Sequence, residues 1–224
     1  MNFEYTEEQI ALQDTLRRFF SRDYGFEHRR TVAASADGFD RSAWKTYAEL
    51  GLLALPFPSD QGGLDGSAVD VQLVMELLGR GLALEPYLAT VVLCGSLIRD
   101  SATAAQREAV LPAIAGGEAL LALAHFEPGQ RYDSDRIATT ATRAGTGWRL
   151  DGAKAVVLGA PSADRFIVSA VAAEGLSLFL VDAGAPGIAV RGYPTQDGAR
   201  AGNLQLAGVE VAADALVGKA GDGL

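Results

Sequence analysis

The sequence predicts an α+β fold: an all-α N-terminal half, residues 1–119, followed by an antiparallel all-β half, residues 120–224. Two observations predict it. Capping-box tetrads and apolar stripes at helical spacing fill the first half. From Leu120 onward, short β-rich runs bounded by glycine or Asp-Gly pairs recur at intervals close to those of a sandwich or barrel. The two textures meet in Leu120-Leu121-Ala122-Leu123-Ala124-His125-Phe126-Glu127-Pro128-Gly129.

Thr6-Glu7-Glu8-Gln9 is a capping box, and Leu12, Leu16, Phe19 and Phe20 continue it as one apolar stripe, with Arg17, Arg18 and Arg22 on the wet side. After a polar, alanine-rich passage, Asp40 caps a short helix through Trp44, Tyr47 and Leu50, which Gly51 stops in a left-handed conformation. Leu52 to Pro58 is too apolar and proline-broken for a solvated helix, so it reads as a buried crossing segment. Next comes a glycine-rich loop, Pro58-Ser59-Asp60-Gln61-Gly62-Gly63-Leu64-Asp65-Gly66, then a helix carrying Val69, Leu73, Val74, Leu77 and Leu78. Glu85-Pro86-Tyr87 restarts the chain into an apolar helix through Leu97. Thr103-Ala104-Ala105-Gln106 opens the last one, which ends at Gly116-Gly117. That makes five or six helices.

In the second half, strands are expected near 120–126, 137–143, 147–150, 154–158, 165–171, 176–182, 187–190 and 202–211. Gly145-Thr146-Gly147 joins one pair, and Asp151-Gly152 reads as a two-residue hairpin turn into Lys154-Ala155-Val156-Val157-Leu158. There are no internal repeats, no Walker loop and no dinucleotide fingerprint.

Composition narrows the function. A net charge of -9 disfavours non-specific binding to nucleic acid or anionic lipid. No apolar run approaches the roughly 20 residues of a membrane span, and the N-terminus lacks the features of a secretory signal, so the cytoplasm is the expected compartment. Cys94, the single cysteine, sits in an apolar run and reads as a core thiol; His28 and His125 alone make no metal cluster.

Four motifs in order carry a family resemblance: Pro58 to Gly66, Leu111-Pro112-Ala113-Ile114-Ala115-Gly116-Gly117-Glu118, Glu127-Pro128-Gly129 with Asp133, and Asp151-Gly152-Ala153-Lys154. Together they resemble the acyl-CoA dehydrogenase family over the entire chain. Leu78-Gly79-Arg80-Gly81-Leu82-Ala83-Leu84-Glu85-Pro86-Tyr87 further resembles the small subunits of pimeloyl-CoA-dehydrogenase-like heteromers. The resemblance implies a helical domain followed by a β-barrel domain, FAD as cofactor, an acyl-CoA substrate, assembly into homo- or hetero-oligomers, and electron-transfer flavoprotein or a similar acceptor. It also implies a third, helical domain that supplies the proton-abstracting glutamate. Gly218-Lys219-Ala220-Gly221-Asp222-Gly223-Leu224 resembles the linker into it, so oxidation by these residues alone is not expected.

Carried over position by position, the resemblance implies flavin contacts from Ala124, Phe126, Glu127, Gly129 and Tyr132, and from Val156, Val157 and Leu158. The family's threonine before the Glu-Pro falls on Phe126, its serine on Tyr132, and the preceding Ala-Gly on Gln130-Arg131. Its Trp-Ile-Thr falls on Val156-Val157-Leu158. Bulky or apolar groups have replaced hydroxyls and ring cover, which leaves main-chain amides, Leu158 among them, as the expected donors.

The residues alone support blander readings. Phe126, Val156 and Leu158 read as barrel core, Glu127 as a bend-fixing residue or an arginine's partner, His125 as a satisfied core histidine, and Arg131 as an exposed loop residue rather than a phosphate ligand. Two functions follow: a flavin-dependent acyl-CoA dehydrogenase subunit whose base lies elsewhere, or a non-catalytic subunit that keeps the fold to complete an interface.

Overall fold

A computed structural model describes residues 4–130 and 133–223. The helical half contains α1 (Glu7–Arg22), α2 (Phe26–Ala34), α3 (Arg41–Glu49), α4 (Ala68–Arg80), a π-helix over Leu88–Gly95 that runs directly into α5 (Ser96–Ser101), and α6 (Ala104–Ala115). The caps explain the starts. Thr6 and Thr103 form the expected capping boxes, Asp40 accepts from Ser42 N–H, and Ser67 with Asp70 makes a third box that opens α4. Gly51 takes the expected left-handed conformation at φ 74°. The polar, alanine-rich passage folds as α2, a helix that burial of Val32 anchors even though it lacks a side-chain cap.

The second half is one eight-stranded, mostly antiparallel sheet. Its strands are β1 (Leu121–Ala124), β2 (Thr140–Ala144), β3 (Gly147–Leu158), β4 (Arg165–Ala172), β5 (Gly175–Asp182), β6 (Ile188–Pro194), β7 (Arg200–Val211) and β8 (Leu216–Val217). Their order is β6-β7-β3-β2-β4-β5-β8, with β1 beside β4. The pairings of β1 and β2 with β4 are parallel.

Asp151-Gly152 is not a turn. β3 runs through it as one long strand paired to β7, with register shifts between Leu150 and Gly152 and again between Lys154 and Val157. Asp151 spends its carboxylate on Gly208 N–H at 2.7 Å, and Gly152 is required by close approach, since a Cβ there would lie 2.4 Å from Thr139 Oγ1. The true two-residue turn is at Gly145, φ 56°, where β2 meets β3.

The period of two in β1 and β4 explains how the halves join. Leu121 and Ile167 face the helices and share a core with Tyr47, Phe57, Val91 and Ile98; Ala122, Phe166 and Val168 face the sheet interior with Trp148, Val157 and Phe179. These strands are therefore apolar on both faces. Thr90 in the π-helix fastens the junction, because its buried hydroxyl donates to Leu121 O at 3.0 Å and accepts from Leu121 N–H at 3.2 Å. Leu52, Leu53 and Phe57 are buried, as the crossing segment requires, and so is Cys94.

Gly152→Ala should destabilise the fold by about 1–3 kcal/mol through the collision with Thr139, whereas Gly145→Asn, with nothing within 4 Å of its Cβ position, should stay within about 0.5 kcal/mol. Denaturant titration of both variants decides this.

Candidate cofactor and ligand site

The turn after β1 is shaped by Glu127. Its main-chain N–H donates to Gln130 Oε1 at 2.8 Å, and its buried carboxylate accepts from Ala138 N–H at 2.6 Å, Thr139 N–H at 2.9 Å, the Thr139 hydroxyl, and the Lys154 ammonium at 2.8 Å. Lys154 is fully buried; its Nζ also reaches Ser169 Oγ at 3.0 Å and the His125 carbonyl at 3.3 Å. Burial alone would raise the acid, but this donor set outweighs it and holds Glu127 down at about 2, while desolvation lowers the Lys154 pKa against the pull of Glu127. Glu127 therefore fixes a bend, as the sequence suggests, with a lysine rather than an arginine as its partner.

His125 is half-buried and satisfied on both sides, by Ser169 Oγ at 3.1 Å on Nδ1 and Ser134 O at 3.0 Å on Nε2. Burial and the neighbouring Lys154 lower its pKa.

This network presents a surface at the seam. Phe126 is 50% exposed, Val156 54% and Leu158 37%, so the sequence reading of these three as barrel core is overturned. Phe126 lies in the turn past the end of β1 at Ala124, and for Val156 and Leu158 the cause is the second register shift in β3. Val156 adopts φ 54°, which is rare for a β-branched residue, and its N–H is taken by Asn203 Oδ1 at 3.2 Å. That residue turns the strand so that Val157 falls into the core while its neighbours face out. Ala155 N–H donates to the Phe126 carbonyl at 2.7 Å, joining the two segments. Beyond the bulge, Gly159 N–H donates to Arg200 O on β7. Since successive strand amides alternate edges, the Leu158 amide is turned away from β7.

Among the expected contacts, Phe126, Val156 and Leu158 are thus exposed, and the Phe126 main chain is tied to β3 beside Val156. Gly129, φ 82°, has open space at its Cβ position. Ala124 and Val157 are buried and can offer main chain only. Tyr132 and Arg131 lie outside the described residues. Three exposed apolar side chains suit contact with the face of a flat aromatic ring, whereas the amides of Glu127, Ala155 and Val156 already have partners within the protein.

Next to Leu158, between the halves, a cavity of about 590 Å³ opens, walled by Phe39, Met75, Leu78, Leu82, Leu84 and Leu88 on the helical side. Glu85 closes one wall. Its buried carboxylate accepts from Tyr24 OH at 3.0 Å, Tyr47 OH at 3.2 Å and Asp40 N–H at 3.2 Å, and burial raises its pKa. Two arginines cross the seam beside it: Arg29 donates to Leu82 O at 2.8 Å and to Asp197 O, and Arg200 donates to Ala33 O at 2.8 Å and Ser35 O at 3.0 Å. Sequence reasoning missed Glu85, Arg29, Arg200 and Asn203, since no local pattern marks a residue whose partner is more than 40 positions away.

Lowering the pH should expose the Glu127 anchor. Its folded pKa lies below the ordinary 4.5, so its contribution is complete above that value and is lost as pH falls toward about 2. Chemical denaturation between neutral pH and acid should show this loss in the wild type and a flatter profile in Glu127→Gln. Lys154→Met, which strands the carboxylate, should cost roughly 3–5 kcal/mol at neutral pH.

Comparison with known proteins supplies the context. Residues 6–118 match the family description "Acyl-CoA dehydrogenase, N-terminal domain" and residues 122–209 match "Acyl-CoA dehydrogenase, middle domain". Acyl-CoA dehydrogenase FadE27 of Mycobacterium tuberculosis is 35% identical over 86% of this chain and 50% of its own length. Benzylmalonyl-CoA dehydrogenase of Aromatoleum aromaticum is 32% identical over 85% of this chain and 51% of its own. Among solved structures, a chain of the ChsE4-ChsE5 complex from Mycobacterium tuberculosis superposes with a TM-score of 0.89 at 29% identity, covering 97% of this chain and 58% of that one. A variant of the Tcur3481-Tcur3483 steroid ACAD gives 0.86 at 34%, covering 95% and 57%. The chain spans about half the length of the curated relatives it matches.

Proposed function

Because the chain belongs to the acyl-CoA dehydrogenase family, we propose that it is the flavin side of an FAD-dependent subunit that oxidises the α,β bond of an acyl-CoA thioester. One observation carries the reading: the turn held by Glu127 and Lys154 and the bulge at Val156 leave Phe126, Val156 and Leu158 exposed, with Leu158 on the wall of an apolar cavity between the halves.

FAD, when bound, supplies the hydride acceptor. The protein's part is to hold the ring edge through main chain, cover it with hydrocarbon and keep water from the acyl group. Val156, Leu158, Phe126 and the backbone near Ala124, Glu127 and Gly129 are proposed for the ring, and the cavity is proposed for the acyl end.

Neither buried carboxylate suits removal of the α-proton. Glu127 is saturated by donors and turned inward, and Glu85 is held by two tyrosine hydroxyls. We therefore place the base outside these residues, in a further segment or subunit. Assembly into a homo- or hetero-oligomer with other acyl-CoA dehydrogenase subunits, and transfer of electrons to electron-transfer flavoprotein or a similar acceptor, belong to the same proposal.

A second reading, a non-catalytic subunit that completes an interface, is favoured by the half-exposed Phe126, whose bulk stands where the resemblance calls for a threonine, and by Val156 and Leu158, which lack the ring cover and the hydroxyl it calls for.

Reconstitution separates the two. The protein, purified with its assembly partners and supplied with FAD, should carry the flavin absorbance band, which acyl-CoA bleaches anaerobically; a colourless protein would remove the first reading. Val156→Trp combined with Leu158→Thr should tighten FAD severalfold, and unchanged affinity would count against the assignment of these positions. Leu158→Ala, which keeps the amide and removes only hydrocarbon cover, should weaken FAD binding no more than severalfold.

A further inference from the structure

Among the described residues, three other than glycine have a left-handed backbone: Asp65, Leu82 and Val156. Asp65 has a local reason, because aspartate tolerates this conformation and its carboxylate accepts from Ser59 N–H at 3.0 Å. Val156 belongs to the bulge already described. Leu82 has no such reason.

Leu82 ends α4. Its N–H donates to Gly79 O at 3.1 Å and Ala83 N–H donates to Leu78 O at 2.9 Å, the hydrogen-bond pair of a Schellman cap. The left-handed position of that cap normally holds glycine. Here glycine comes one residue early: Gly81 has φ -77°, and its missing side chain is required by Phe20, whose ring carbon lies 2.3 Å from where a Cβ would stand. The strained conformation, φ 52°, thus falls on a leucine, and Arg29 holds the peptide in place through its carbonyl.

The leucine side chain adds little to the core. It belongs to neither buried core and is 52% exposed, on the wall of the apolar cavity with Leu88 and Leu158. The cap accounts for the backbone but not for a leucine at a position that suits glycine, and a side chain kept there without burial in a core points to a ligand. We infer that Leu82 is a specificity-determining residue that meets the hydrocarbon end of the molecule in this cavity and sets how long that end can be. The inference rests on the proposed function only for the ligand's identity as an acyl thioester.

The test uses Leu82→Gly and Leu82→Phe in the complete protein. Glycine suits a left-handed cap, so Leu82→Gly should raise Tm by about 1–3 °C. In isothermal titration with saturated acyl-CoAs of graded length, it should weaken the wild type's preferred thioester about tenfold and move the optimum to longer chains. Leu82→Phe should move it to shorter ones. A fall in Tm for Leu82→Gly would show that the side chain packs for stability, and an unchanged length profile would show that it does not touch the ligand; either result overturns the inference. If the wild type binds no acyl-CoA, the functional reading fails instead. Leu82 is then judged with anilinonaphthalenesulfonate, whose binding Leu82→Gly should weaken; equal dye affinity overturns it.

Discussion

The carboxylate of Glu127 and the ammonium of Lys154 meet where neither could stand alone. Removing each ion from water costs several kcal/mol, and their mutual attraction offsets this only where the remaining lone pairs and protons are also used. They are used here, by Thr139 and Ala138 on the acid and by Ser169 and the His125 carbonyl on the base. The partners come from the turn after β1, the approach to β2, the middle of β3 and the middle of β4. One buried pair thereby sets the relative positions of four pieces of chain, and the exposed face at the seam is a consequence of where those pieces are held.

Such an anchor explains how flavin-facing side chains can differ from those the resemblance implies while the backbone path is kept. The frame comes from the buried Glu127, Lys154 and Thr139, with Asn203 holding the Val156 amide. Phe126, Val156 and Leu158 are the side chains proposed to meet the ligand, and their substitution leaves the frame's hydrogen bonds intact. Affinity and architecture are therefore separable in this chain. The same division holds at Leu82, where the cap's hydrogen bonds are made by main chain and the side chain is free to serve the cavity.

Much of this architecture was legible in the sequence where the cause is local. Thr6, Asp40 and Thr103 cap helices because a short side chain reaches its own backbone, and the strands of the second half announce themselves by β-rich runs between glycines. Asp151-Gly152 misleads for a physical reason: the dipeptide that suits a hairpin also suits a bulge, and what decides is the Gly208 N–H donating to the aspartate and Thr139 crowding the glycine. Phe126, Val156 and Leu158 misled more seriously. An apolar residue on a strand is usually core, but Phe126 falls past the end of β1, and the change of facing at Val156, held by an asparagine 47 positions away, leaves Val156 and Leu158 outward.

The seam also has a mechanical side. β1 and β4 contribute one face to the helical core and the other to the sheet interior, and Thr90, Arg29 and Arg200 add polar ties across the junction. The glycines at 38 and 198 matter here, since a Cβ at Gly38 would lie 2.5 Å from the Arg200 side chain and one at Gly198 would lie 3.1 Å from Arg29. Room was made for both guanidinium groups to cross. Halves joined by a shared core and crossed arginines do not shear independently, so a ligand at the seam meets a cavity whose two walls are already in register. Binding there need not order the walls first, and more of the contact energy remains for discrimination between ligands.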